Sequence, residues 1–118
     1  SPEYQQILLR RMAFRGRVAH LFDSIDVLLT PVQPFAPLTL VQVNTLGEQS
    51  GLVAMLQRYT CPFDMSGHPT LAMPAGFTQA GMPIGIHLVA GHLEEPILVR
   101  AAAAFQGITD WHHRHPVA

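Results

Sequence analysis

Residues Arg58–Gly91, RYTCPFDMSGHPTLAMPAGFTQAGMPIGIHLVAG, decide how the chain is read. Two apolar runs, Thr70–Pro74 and Ile84–Ala90, are joined by the polar, glycine-bearing link Thr78-Gln79-Ala80-Gly81. That pattern predicts an antiparallel hairpin with a longer turn. Only His87 interrupts the second run. A strand apolar on both faces is normally covered on both faces, and this chain's helices offer little to cover them. The hairpin is expected to be the middle of a larger sheet than 118 residues can build.

The composition points the same way. A chain of 118 residues is at most one domain, long enough in principle for its own core. Charged residues make up only 13% of it, against about 25% in ordinary proteins. Apolar residues reach 48%, and the mean hydropathy is +0.22. Small domains have much surface per volume and should be richer in charge. Either something absent covers part of this surface, or copies assemble into a homo-oligomer; the first is favoured. The net charge of −1 offers no basic field for nucleic acid or an anionic membrane. No run approaches the roughly 18 apolar residues of a membrane span, and no signal peptide is visible. The single Cys61 excludes an internal disulfide and suits a reducing compartment, so the expected location is the cytoplasm. A start at Ser1 without Met is expected to be a boundary left by processing or cutting.

Working outward to the N-terminus, Ser1-Pro2-Glu3 supplies a capping hydroxyl, a proline at the first helical position and an early acid. Tyr4, Leu8, Phe14, Val18, Leu21, Phe22 and Ile25 largely follow helical spacing through about residue 23. Arg10, Arg11, Arg15 and Arg17 crowd this helix. They read as a solvated face; the alternative is pairing with acids of an absent segment or of a tRNA-bearing partner. Ile25–Thr30 reads as a short buried strand stopped by Pro31. The loop from Pro31 to Pro37 holds three prolines that fix its backbone. Thr39–Asn44 is expected to be extended, and Thr45-Leu46-Gly47-Glu48 fits a capping box that opens a helix running to about Gln57. Gly67 suits the end of a short helical turn. After the hairpin, Glu94 and Glu95 precede Pro96 and open a last helix, with Ile97, Leu98, Ala101, Ala102 and Phe105 on one greasy side and Gly107 as its stop. The order is helix–strand–loop–helix–antiparallel hairpin–helix, an α/β arrangement.

The ordered residues Arg58, Thr60, Pro62, Phe63, Asp64, Gly67 and Pro69, then Pro74-Ala75-Gly76-Phe77 and Gly81-Met82-Pro83-Ile84-Gly85-Ile86-His87-Leu88-Val89, form one set. This set resembles the C-terminal part of amidase signature hydrolases, and the resemblance spans residues 1–118. It implies an α/β/α sandwich with a mixed sheet, of which this chain is one part, and a carbon–nitrogen bond hydrolase acting on a small amide. The remaining N-terminal part of the same enzyme is then the expected partner. The general amidase branch is expected over the tRNA-linked amidotransferase branch. The family more often has Asn where Asp64 stands, and an ionised acid only accepts hydrogen bonds.

The family's chemistry uses a serine nucleophile, a second serine on an unusual cis peptide, and a lysine base kept neutral by desolvation. No lysine occurs here, and Ser1, Ser24, Ser50 and Ser66 sit in no Gly-Gly-Ser-Ser context. The catalytic groups are expected upstream of Ser1 and the isolated chain is expected to be inert. On the matching positions, the resemblance implies pocket-wall roles for Gln33, Phe35, Arg58, Tyr59, Thr60 and Phe63. Arg58 would bind a substrate carboxylate or brace a carbonyl. A short non-catalytic binding or assembly module is the alternative reading of the whole. Cys61 lacks a cysteine-hydrolase context and reads as a small buried hydrophobe. Trp111–His115 has the look of a metal tract, but without an acid or Cys partner neither metal nor other cofactor is expected. His68 and His87 read as satisfied core histidines, and Asp23 and Asp26 as turn formers.

Overall fold

The computed structural model describes residues 1–116. Helix α1 (Pro2–Leu21) begins on the Ser1 hydroxyl, which accepts a hydrogen bond from the Tyr4 amide at 3.3 Å, with Glu3 in its first turn. It stops at Leu21, two residues before the spacing alone suggested. Strand β1 (Val27–Pro31) follows, then the proline loop. The extended segment expected at Thr39–Asn44 is instead helix α2 (Leu40–Asn44), and the sequence held the reason. Thr39 and Gln42 form a capping box three residues apart: the Gln42 amide donates to the Thr39 hydroxyl, and the Thr39 amide donates to the Gln42 side chain. The box expected at Thr45–Glu48 does not form. The Thr45 hydroxyl donates to the Val41 carbonyl at 3.0 Å and accepts from the Gln49 side chain at 3.0 Å rather than from a backbone amide, and Leu46–Glu48 is a single 3-10 turn. Helix α3 (Ser50–Gln57) and helix α4 (Cys61–Ser66) complete the middle of the chain. Gly67 ends α4 at φ 72°, the left-handed conformation that the missing Cβ permits.

The hairpin forms as the sequence indicates, with a longer first strand. Strand β2 (Thr70–Phe77) pairs antiparallel with β3 (Pro83–Ala90), from Thr70 opposite Val89 to Phe77 opposite Pro83. Ala75 is the extra residue of a bulge between Pro74 and Gly76. On its other side β3 pairs antiparallel with β1, Val27 opposite Ala90 through Pro31 opposite Ile86. The sheet order is therefore β1-β3-β2, and the most apolar strand is the middle one. Strand alternation sends Ile86, Leu88 and Ala90 to one face, where they meet Leu71, Met73 and Val27 and the apolar side of helix α5 (Glu95–Gly107). Leu98 and Ala102 are the buried contacts of α5, and Val89, on the opposite face, is fully buried. The architecture is α/β, as expected from the order of elements.

The rest of the molecule is open. Its accessible surface is 8532 Å², whereas a compact monomer of 13.0 kDa exposes about 6,300 Å². The radius of gyration is 17.1 Å, against about 13.5 Å for a compact domain of this length. The chain is a slab of 54 × 40 × 20 Å. Along α1 only Val18 is buried, while Tyr4, Ile7, Leu9 and Met12 are each more than half exposed. The excess of about 2,200 Å² is more than twice the roughly 800 Å² that one partner contributes to a standard protein interface.

Because the hydrophobic core cluster lies between the sheet and α5, substitutions should separate sharply by place. Leu98→Ala opens a cavity beneath Leu88 and is expected to cost about 2–5 kcal/mol in denaturant unfolding. Leu93→Ala, at a side chain 87% exposed, is expected to stay within about 0.5 kcal/mol. Equal effects at the two sites would contradict this placement of the core.

Candidate functional site

Two separate grooves take up three of the six predicted site residues, Gln33, Phe35 and Arg58. The first lies where the proline loop runs beside the start of β3. The Val32 amide donates to the Gly85 carbonyl at 3.2 Å, clamping the loop to the strand. A Cβ on Gly85 would sit 3.0 Å from Val32 Cγ2, so glycine allows this close approach. Gln33, Phe35 and Pro37 line one side of the groove and Pro83, Ile84 and Ile86 the other, around a volume of about 290 Å³. Its walls are apolar except for Thr78 and the Gln33 carboxamide, which both donates and accepts. Such a slot can grip a small amide or acyl group through apolar contact and one polar anchor. It lacks a serine, cysteine, lysine or histidine among its lining residues.

The second groove lies between α1, α3 and α4, with a volume of about 620 Å³. Arg58 lines it, as does the half-buried free thiol of Cys61. The other three predicted residues line neither groove. Phe63 is buried beneath α4. The Thr60 backbone carbonyl accepts from the Phe63 and Asp64 amides, so Thr60 anchors the start of that helix. Tyr59 is half-buried between them. The structure therefore brings Gln33 and Phe35 together and holds Arg58 apart from them.

A polar cluster that reads as ordinary core in the sequence lies behind α4. His68 is buried, its ring stacked on Phe22 at 5.2 Å and tilted against the His92 ring at 3.9 Å. His68 Nδ1 and the Ser66 hydroxyl share a hydrogen bond of 2.8 Å, and that hydroxyl also lies 3.4 Å from the Phe63 carbonyl. The other ring nitrogen, Nε2, is buried and without a partner. Arg15 Nε donates to His92 Nε2 at 3.3 Å, which places positive charge against the pair. Burial, then His92, then Arg15 lower the His68 pKa below 6.5. "Satisfied" therefore describes one ring nitrogen of His68 only.

His87 Nδ1 and Thr30 Oγ1 are also buried and unpartnered, and these two residues face each other across β1 and β3. Alternation could have flagged them: both fall on the face away from α5. In the C-terminal tract Arg114 lies over Trp111 at 4.6 Å and over Phe77 at 5.6 Å and pairs with Asp110. Among the described residues no group of three His, Cys, Asp or Glu converges as metal ligands would. None of the described helices is long and apolar enough to cross a membrane.

Comparison with known proteins adds a consistent result. A family model described as Amidase matches residues 1–99. The chain is 39% identical over 116 residues to the protein named "Putative amidase AmiD" of Mycobacterium bovis, covering 98% of this chain and 24% of that protein. It is 31% identical over 119 residues to a glutamyl-tRNA(Gln) amidotransferase component of Thiobacillus denitrificans, again 98% of this chain and 24% of the relative. Its fold matches that of a 6-aminohexanoate cyclic dimer hydrolase solved with its substrate, at a TM-score of 0.81 and 25% identity, over 98% of this chain and 26% of that one. The chain thus spans about a quarter of the length of the relatives it matches.

The lowered His68 pKa has a stability consequence. Well above pH 6.5 the residue is neutral folded and unfolded, and adds no pH dependence. As pH falls below 6.5 the unfolded chain takes up the proton before the folded one, so stability falls until the folded pKa is passed. Unfolding midpoints measured between about pH 7.5 and 5.5 should drop with acid, and His68→Gln, which donates to Ser66 without titrating, should flatten the drop. An unchanged slope in the variant would refute this role.

Proposed function

The chain belongs to the amidase family, and on that premise we propose that it is the C-terminal segment, residues 1–118, of an amidase signature hydrolase, supplying sheet and cleft wall to an active site completed by the rest of the enzyme. The observation that carries this reading is the pairing of a preformed apolar slot with a complete lack of lysine in the sequence. The base of a Ser-Ser-Lys mechanism has to come from elsewhere in the polypeptide. The slot's one flexible polar group, Gln33, is suited to fix the orientation of an amide, and Phe35 to pack against its acyl side. Gln33 and Phe35 are kept as substrate-facing residues. Tyr59, Thr60 and Phe63 are assigned to holding the start of α4, because Phe63 is buried and the Thr60 carbonyl anchors that helix, while Arg58 lines a different groove.

The substrate is a small carbon–nitrogen amide of largely apolar character, in keeping with walls that offer one carboxamide and one hydroxyl. This favours a general amidase over a tRNA-linked amidotransferase. Positioned binding accelerates chemistry that other residues perform, so the chain alone has no turnover.

Two measurements test the reading. The chain by itself should release no ammonia from benzamide or hexanamide above the buffer background. Grafted in place of the matching 116 residues of the M. bovis relative, it should support hydrolysis, and Gln33→Ala or Phe35→Ala should raise KM about threefold to tenfold with a smaller change in kcat. Turnover by the isolated chain, or a folded but inactive graft, would overturn the proposal.

A further inference from the structure

The groove between α1, α3 and α4 carries a separate inference, which rests on the reading of this chain as part of a larger amidase. Its α1 wall is one helical face: Ile7, Arg10, Arg11, Phe14 and Arg17 recur at three- and four-residue steps. Arg58 stands opposite, after the end of α3. Four guanidiniums thus ring an apolar floor that includes Ile7, 59% exposed, and Met65, 46% exposed. Among the described residues the ion pairs are His20 with Asp23 and Arg114 with Asp110, so none of the four meets a carboxylate. Arg11 is partly engaged, its Nε donating to the Met65 carbonyl at 3.0 Å and tying α1 to α4. Arg15, on another side of the same helix, is taken by His92.

A solvated arginine face does not need a greasy trough beneath it. An apolar centre with an arginine rim is the composition of a docking surface, where arginine is enriched and the partner's charge is complementary. The trough is open, whereas small-molecule sites bury about 70–90% of their ligand's surface. Its geometry suits an amphipathic helix laid into a groove between helices. We propose that this groove seats an acidic amphipathic segment of the remaining amidase polypeptide, with its carboxylates on Arg10, Arg17 and Arg58 and its apolar side chains on Ile7, Phe14 and Met65.

The probe is a helical peptide of about 18 residues, long enough to be partly helical in water, with Leu on one face and Glu on the other. A twin carrying Lys for Glu is the control, and dodecanoate tests for a small-molecule site. The acidic peptide should bind the chain one to one, more weakly as salt rises, and roughly tenfold or more weaker to Arg10→Gln/Arg17→Gln/Arg58→Gln. Arg100→Gln, on α5, should bind as the parent does. Equal binding of the two peptides, unchanged binding by the triple variant, or tighter binding of dodecanoate than of the acidic peptide would overturn the proposal. The graft into the M. bovis relative reads the amidase assignment independently. An inactive graft with arginine-dependent peptide binding rejects that assignment and keeps the groove, and an active graft with no such binding does the reverse.

Discussion

The hydrophobic core of this molecule is built on β3. Its alternate residues Ile86, Leu88 and Ala90 press against Leu98 and Ala102 of α5, while β1 and β2 flank it on either side. Burial of this kind contributes about 25 cal/mol per Å² of apolar surface removed from water, and no other part of the chain gathers as much of it. The short side chains of Ala90 and Ala102 let helix and sheet approach closely. The proline loop is positioned by the same strand, through the Val32 amide on the Gly85 carbonyl, so the candidate substrate slot is a by-product of where β3 begins. Site and core share one support.

That support reaches only part of the chain. Helix α1 runs twenty residues with one buried side chain, and α2 has none. The area left exposed exceeds that of a compact monomer by about a third. A chain with 13% charged residues has few groups to hydrate such an expanse. Match lengths of about a quarter of each relative fit this physical deficit. The arginine-rimmed trough and the orphaned Thr30 and His87 atoms are local forms of the same condition: polar and apolar surface shaped for contacts that these residues do not themselves supply.

Much of this is legible in the sequence. Hairpin, order of elements, the left-handed end of α4 at Gly67 and the opening of α5 after Glu94 all follow from local chemistry, since turns, caps and periodicity act over a few residues. The family resemblance rests on side chains in order across β2 and β3. The departures are also local. Thr39 caps α2 because Gln42 can answer it, whereas the Thr45 hydroxyl, at the end of that helix, takes up the Val41 carbonyl and the Gln49 side chain instead of opening the next one. The β1–β3 pairing joins residues about sixty positions apart, and nothing local encodes such a contact. For the same reason Gln33 and Arg58 can be named as site residues without the sequence revealing that they face different grooves.

Whether this surface can stand alone in water is the deciding question, and solution mass measured by light scattering across a concentration series addresses it directly. A severed piece should self-associate or aggregate as concentration rises, hiding the exposed apolar side chains of α1 that lie outside the trough, Tyr4, Leu9 and Met12. A sharply monomeric species of 13.0 kDa at every concentration, with a single cooperative unfolding transition, would contradict it and favour an independent module.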